Sequence, residues 1–88
     1  MVYYINLATG GYAQESTLVE ARATAIKSMS GNGSRASVPI ISSTKGMVGE
    51  VVKAPRVASG YVWVAFPVGK TQYQPLYKNG KIARGLRI

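Results

Sequence analysis

The stretch Tyr61-Val62-Trp63-Val64-Ala65-Phe66 decides the fold of this chain. It is an unbroken apolar run of aromatic and β-branched residues around a single alanine. Runs of this kind are typical of a strand that is buried on both faces. We therefore expect a central strand here, with the other elements packed around it.

Two strand segments and one helix are predicted in the first 30 residues. Residues 2–7 have the composition of a first strand, and residues 12–14 extend a short pairing beyond a glycine turn. Thr17 and Glu20 have the spacing of a capping box, in which the hydroxyl and the carboxylate each accept a free amide proton at a helix start. A helix over residues 18–29 follows, and the glycines after it predict its end.

The helix is predicted to pack on a sheet through one apolar side. Arg22 falls near the middle of that side. It either reaches past the helix edge to water or pairs with a carboxylate such as Glu50, or it contacts a ligand in a groove between helix and sheet. The sequence leaves these alternatives open. The apolar side consists of Leu18, Ala21, Ala25, Ile26 and Met29.

The second half of the chain predicts a series of antiparallel strands. Pro39 cannot donate to a neighbouring strand, so it favours an edge or the first residues of a strand. Pro75 indicates an edge strand with an exposed apolar platform, which Tyr73 and Tyr77 share. Asn79-Gly80 is the clearest hairpin signal, because both residues tolerate the positive φ angles of a type I′ turn. The predicted strands are 36–42, 47–54, 61–66, 71–77 and 81–86.

These elements predict one α+β domain that spans residues 1–88. A β-α unit is followed by an antiparallel β-meander, and one helix packs on a sheet of about four to six strands. The alternative is a small, strongly curved barrel with one helix. With 88 residues, 47% of them hydrophobic, the chain is large enough for one core and too small for a second.

Cysteine is absent, so neither a disulfide nor a thiolate metal site reinforces the core. A secreted domain of this size would more often carry disulfides, and we therefore expect a cytoplasmic protein. The first residues lack the cationic start and apolar run of a signal peptide. No stretch approaches the ~20 apolar residues of a membrane span. The predicted helix is nearly neutral and alanine-rich, unlike the basic amphipathic helices that bind membrane surfaces, so we expect no membrane association.

The residue types argue against an enzyme. His, Cys and Asp are all absent, so nucleophile triads, zinc sites and paired aspartates cannot be assembled. Glu15 and Glu20 are explained by the helix start, and Glu50 stands alone. Gly69-Lys70-Thr71 matches the end of a phosphate-binding loop but lacks its first glycine, and residues 31–35 follow a helix C-terminus, whose dipole disfavours anions. We expect no catalytic residue, no metal and no cofactor.

The charges are strongly asymmetric. Eleven Lys and Arg face three Glu, for a formal net charge of +8, and residues 51–88 hold seven of the cations and no carboxylate. This excess favours an anionic partner. Near the C-terminal end, cations alternate with tyrosines, a mixture suited to phosphates and to stacking on unpaired bases. The residues predicted to form the site are Lys70, Tyr73, Tyr77, Lys78, Lys81, Arg84 and Arg87.

Nucleic acid, either DNA or RNA, is therefore the expected partner of a small basic binding protein. The alternative is a protein–protein interaction module that docks on an acidic partner, as an accessory or inhibitory protein would, or self-associates as a homo-oligomer. Each site residue also has a plain structural explanation, because lysines protect strand edges and tyrosines pack with their hydroxyls in water. The predicted site depends on the cations lying on one shared surface.

Overall fold

The computed structural model of the chain describes residues 1–8, 10–30, 36–66 and 74–83. Within these ranges one helix and six strands form. The helix α1 (Leu18–Ser30) follows two short strands, and four further strands follow the helix. The strands are β1 (Tyr3–Asn6), β2 (Tyr12–Glu15), β3 (Ser37–Ser42), β4 (Gly46–Lys53), β5 (Tyr61–Ala65) and β6 (Gln74–Pro75).

The six described strands join one antiparallel sheet in the order β2-β1-β3-β4-β5-β6. The sheet is open, with β2 at one end of this order and β6 at the other. α1 packs on one side of it, and β3 to β6 form a meander. The predicted α+β layout is confirmed, and the barrel alternative is wrong.

The alternation of side chains along the strands gives the sheet a helix side and an open face. On the helix side, Ile5, Ile40 and Trp63 are buried together with Ala21 and Met29 of α1. On the open face, the connection between β4 and β5 folds over Val62 and Val64 through Val57. β5 is therefore buried on both faces, as the apolar run predicts. It is the fifth of six strands, however, and the middle of the sheet is β3 and β4.

The start of α1 contains half of the predicted capping box. The Glu20 amide donates to the Thr17 hydroxyl at 3.2 Å, which is the expected bond. Among the described hydrogen bonds, the Glu20 carboxylate accepts none from a backbone amide. It instead accepts hydrogen bonds from the hydroxyls of Thr17 and Ser16, at 2.8 and 3.1 Å. The predicted apolar side is confirmed, since Ala21, Ala25, Ile26 and Met29 are all buried.

Of the two positions predicted for Pro39, the edge is wrong, because β3 lies between β1 and β4. Pro39 is the third residue of β3 and so lies among the first residues of a strand, which is the other predicted position. Backbone groups of an antiparallel strand point alternately to its two neighbours. The Ser43 amide bonds to Val2 beside β1, so the nitrogen of Pro39 also points towards β1. The pairing of β1 with β3 ends at Ile5 and Ile40, one residue before Pro39. The missing N–H therefore costs no bond between these strands.

The hairpin at Asn79-Gly80 is confirmed, but its turn type is different from the prediction. The Gly80 amide donates to the Tyr77 carbonyl and the Tyr77 amide to the Lys81 carbonyl, at 2.9 and 2.8 Å. Gly80 has φ +90°, whereas no described non-glycine residue has positive φ. A type I′ turn needs positive φ at Asn79 as well. The loop is instead a three-residue loop that ends in a left-handed glycine.

Pro75 lies in β6, at the end of the strand order, as predicted. It is buried, however, and does not form an exposed platform. Pro75 pairs with Val62 in β5, and its carbonyl accepts the Ala83 amide at 2.8 Å. Residues 82–83, which follow the hairpin, thus lie along the outer edge of β6 beside Pro75.

Candidate functional site

The hairpin of residues 77–81 docks on α1 through Gly80. A Cβ atom at this position would lie 2.1 Å from the Val19 carbonyl oxygen and 2.7 Å from the Ala23 amide nitrogen. Real Cβ atoms do not approach backbone so closely, and the positive φ of Gly80 disfavours other residues in addition. Glycine at this position therefore allows the turn and the helix to be in direct contact.

Arg22 fixes the same contact from the helix. Its Nε donates a buried hydrogen bond of 2.7 Å to the Gly80 carbonyl oxygen, and its guanidinium carbon lies 5.2 Å from the centre of the Trp63 ring. That distance is within the range of a cation–π interaction. Burial lowers the pKa of Arg22, because water is removed from the cation, but a guanidinium stays charged at neutral pH. The described contacts of Arg22 are thus structural, and Glu50 lies on the other side of the sheet.

A groove of about 380 Å³ lies between the second half of α1 and the docked hairpin. Lys27 from α1 and Lys78 from the hairpin both line it. The buried side chain of Tyr61 in β5 forms part of its wall. Since Gly80 and Arg22 fix the hairpin on the helix, the two lysines stand on elements whose relative position is fixed. The other lining residues are Ala23, Ile26 and Ser30.

A third lysine lies opposite a residue of the groove wall. Lys53, at the end of β4, lies directly opposite Tyr61 of β5. Residues opposite each other in an antiparallel pair share a face and have Cβ atoms about 5 Å apart. Lys53 is therefore on the helix side of the sheet, next to the tyrosine that lines the groove. We call Lys27, Lys53 and Lys78 the lysine cluster.

The three carboxylates of the chain lie elsewhere. Glu15 accepts a hydrogen bond from the Thr24 hydroxyl at the β2 end of the sheet. Glu20 accepts its two hydroxyl bonds in the first turn of α1, about 10 Å along the helix axis from Lys27. Glu50 pairs with Val64 and so points to the open face. The lysine cluster therefore lies in a part of the molecule where the described carboxylates do not balance its charge.

Three of the predicted site residues are described, and all of them belong to the docked hairpin. Tyr77 and Lys81 face each other across it, and both are exposed. Their neighbours Leu76 and Ile82 pack into the core on the helix side, so Tyr77 and Lys81 point towards the open face. Lys78 instead lines the groove. The sequence positions that lie outside the described residues are Lys70, Tyr73, Arg84 and Arg87, together with Gly69-Lys70-Thr71 and the 31–35 segment.

Sequence reasoning missed Lys27, Lys53 and Tyr61. Lys27 has the pattern of an ordinary solvent-facing helix residue, and its position beside Lys78 follows from the contact of Gly80 with Ala23. No local signal predicts that contact. The position of Lys53 could have been predicted from the sequence. The connection over residues 54–60 sets the register of β4 and β5, and this register pairs Lys53 with Tyr61.

The comparisons with known proteins supply no family for this chain. No protein-family model matches it, and neither a curated protein nor a solved structure matches it. Across the described ranges, no helix has the length and apolar character needed to cross a membrane. In the same ranges, no group of three or more His, Cys, Asp or Glu side chains is close enough to hold a metal ion.

Proposed function

We propose that this protein binds nucleic acid through the lysine cluster and the adjoining hairpin. The observation that supports the proposal best is that Lys27 of α1 and Lys78 of the hairpin line one groove, while Lys53 of β4 lies opposite Tyr61 in the wall of that groove. Lysine ammonium groups neutralise phosphates and release their counterions, which drives association with nucleic acid of any sequence. The location of the glutamates away from this groove adds to the support.

The exposed position of Tyr77 supports a contribution of unpaired bases to the proposed binding. Its side chain is 48% exposed, and it lies directly across the hairpin from Lys81. An exposed aromatic ring beside a cation suits a nucleotide, because a base stacks on the ring while its phosphate meets the ammonium group. Trp63 and Tyr61 are buried, which leaves little of either ring accessible for stacking. The proposed contact is therefore mainly with the backbone, with Tyr77 as one stacking position.

We further propose a binding role without enzymatic activity, in the cytoplasm. The support for a non-enzymatic role is the absence of His, Cys and Asp from the chain and the engagement of Glu15 and Glu20 by hydroxyl groups at the helix. The support for a cytoplasmic location is the absence of cysteine from so small a domain.

The proposal is tested by fluorescence anisotropy with labelled DNA and RNA of mixed sequence, single-stranded and duplex, at several salt concentrations. We expect binding at low salt that weakens with a log–log slope of roughly −3 to −4, about one unit for each phosphate-contacting lysine. Polyglutamate serves as a polyanion without phosphate or bases. Equal affinity for polyglutamate would favour an acidic protein partner, and failure to bind any of the nucleic acids at low salt would exclude the proposed function.

A further inference from the structure

The open face carries an exposed apolar patch that is separate from the lysine cluster. Tyr12, Met47 and Ile41 are exposed there by 69%, 49% and 37%, and Tyr4 is half-buried beside them. These four side chains come from β2, β4, β3 and β1, which are consecutive in the sheet. We call them the open-face patch. Large apolar side chains that share an exposed surface mark an interaction site more often than isolated ones do.

The patch contains both a groove and a side chain that fits a groove. Tyr4 and Tyr12 meet edge to face, with ring centres 6.5 Å apart at 77°. They line a groove of about 540 Å³ together with Asn6, Gln14 and Ile41. Met47 lies directly opposite Ile41, next to this groove, and projects into solvent. Methionine is flexible and polarizable, so it adapts well to an irregular apolar groove.

The charge distribution bears on which partner this patch can accept. The chain has a formal net charge of +8, so two copies repel each other wherever cations face cations. β1, β2 and β3 contain no Lys or Arg, and Lys53 of β4 is on the helix side. Glu50 is the one charged residue that these four strands direct to the open face. The patch therefore suits a second copy of the chain, and it suits a phosphate backbone poorly.

We propose that the open-face patch pairs with the same patch of a second copy, about a two-fold axis parallel to the strands. Met47 and the groove are neighbours on one face, so an axis that passes between them brings each Met47 to the groove of the other copy. Such an interface is isologous and closed. It is independent of the proposed function, because the lysine cluster on the helix side and the hairpin beyond β6 both stay outside the interface.

The expected dimer is weak. The broad side of the molecule measures about 31 × 30 Å, and the connection over residues 54–60 covers part of the open face. The patch is thus smaller than the ~800 Å² that each partner contributes to a standard interface. We expect a dissociation constant of roughly 10 µM to 1 mM.

Sedimentation velocity tests the association, at protein concentrations from about 10 µM to 1 mM, a range set by the expected affinity. The average mass should rise from 9.4 kDa towards twice that value. Met47→Gln should weaken dimerization at least about fivefold, because each half of the interface loses the burial of one apolar side chain. Tyr77→Gln is the matched control, since Tyr77 is 48% exposed but lies outside the patch, and it should leave dimerization unchanged. A wild-type chain that stays monomeric throughout, or a larger effect of Tyr77→Gln than of Met47→Gln, overturns the proposal.

Cross-linking tests the two-fold geometry. The chain has no cysteine, so the double variant Met47→Cys, Tyr12→Cys introduces the only thiols. Within one copy these positions are three strand spacings apart, about 14 Å, which is beyond the ~7 Å Cα separation that a disulfide spans. Air oxidation with copper phenanthroline should give a covalent dimer. The control pair Tyr77→Cys, Tyr12→Cys should cross-link at least about tenfold more slowly, and equal rates would contradict the proposed arrangement.

Discussion

The Nε atom of Arg22 donates a hydrogen bond of 2.7 Å to the carbonyl oxygen of Gly80, which lies 58 residues further along the chain. The bond joins the middle of α1 to the hairpin and lies close to the contact of Gly80 with the helix backbone. Lys78 belongs to this hairpin and Lys27 to this helix, so the groove between them depends on the bond. Stability and the proposed binding are therefore linked through Arg22.

Replacement of Arg22 should destabilise the fold strongly. Arg22→Met keeps an apolar stem but leaves the Gly80 carbonyl without its donor and removes the cation from Trp63. We expect the free energy of unfolding to fall by about 2–3 kcal/mol. Arg22→Lys should have an intermediate effect, because an ammonium lacks the planar fork of the guanidinium. Urea denaturation followed by the fluorescence of Trp63, the single tryptophan, measures the change. A loss below about 0.5 kcal/mol would mean that the bond is not important.

Two glycine-to-alanine substitutions separate backbone strain from steric contact. Gly80 and Gly60 have similar φ angles, +90° and +86°, but a Cβ at Gly60 meets nothing within 4 Å. Gly60→Ala should cost about 1–2 kcal/mol, which is the penalty of positive φ alone. Gly80→Ala should cost at least ~2 kcal/mol more, because its Cβ would overlap the Val19 carbonyl. Equal midpoints in thermal or urea unfolding would contradict the close contact of hairpin and helix.

The start of α1 offers a second matched pair. Thr17→Ala removes the hydroxyl that accepts the Glu20 amide, and we expect a cost of about 1 kcal/mol. Ser16→Ala removes only an exposed bond between two side chains, so it should cost roughly half a kcal/mol or less. Equilibrium unfolding followed by circular dichroism compares the two. A larger loss of stability in Ser16→Ala than in Thr17→Ala would show that Ser16, and not Thr17, caps the helix.

Removal of equal charge from two places tests whether the lysine cluster is the binding surface. The double variant Lys27→Ala, Lys78→Ala should weaken nucleic-acid binding about tenfold or more at low salt and reduce the log–log salt slope by about 2. The control is Lys45→Ala, Arg56→Ala, which removes the same charge from two exposed connections. It should leave the slope nearly unchanged. Equal losses in both variants would indicate attraction by net charge without a defined site.

Much of the fold follows from local signals in the sequence. The capping pair at Thr17, the apolar side of α1 and the apolar run at 61–66 each specify an element without reference to distant residues. The strand order does not follow in this way. Pro39 alone predicts an edge or the start of a strand, whereas its place in an interior strand depends on where the β1 pairing ends. The turn at Gly80 likewise adopts the conformation that fits against α1.

The candidate site was predicted only in part for the same reason. Lys78 and Lys81 stand out in the sequence because they flank a recognisable turn. Lys27 and Lys53 join Lys78 only after the helix, the sheet and the hairpin have packed together. A charge count along the chain therefore finds the basic half of the molecule, but not the residues that share a groove.

The position of β1 between β2 and β3 has a consequence for how fast the chain folds. Ser42 pairs with Tyr3, and the whole helix lies between these two residues in the sequence. A long loop must therefore close, at a cost in entropy, before the contacts between β1 and β3 can form. The helix and the hairpins form from near neighbours, and docking of β3 on β1 should be the slow event. Ile40→Val should then slow refolding, whereas a similar truncation at Leu76, which is equally buried, should mainly accelerate unfolding.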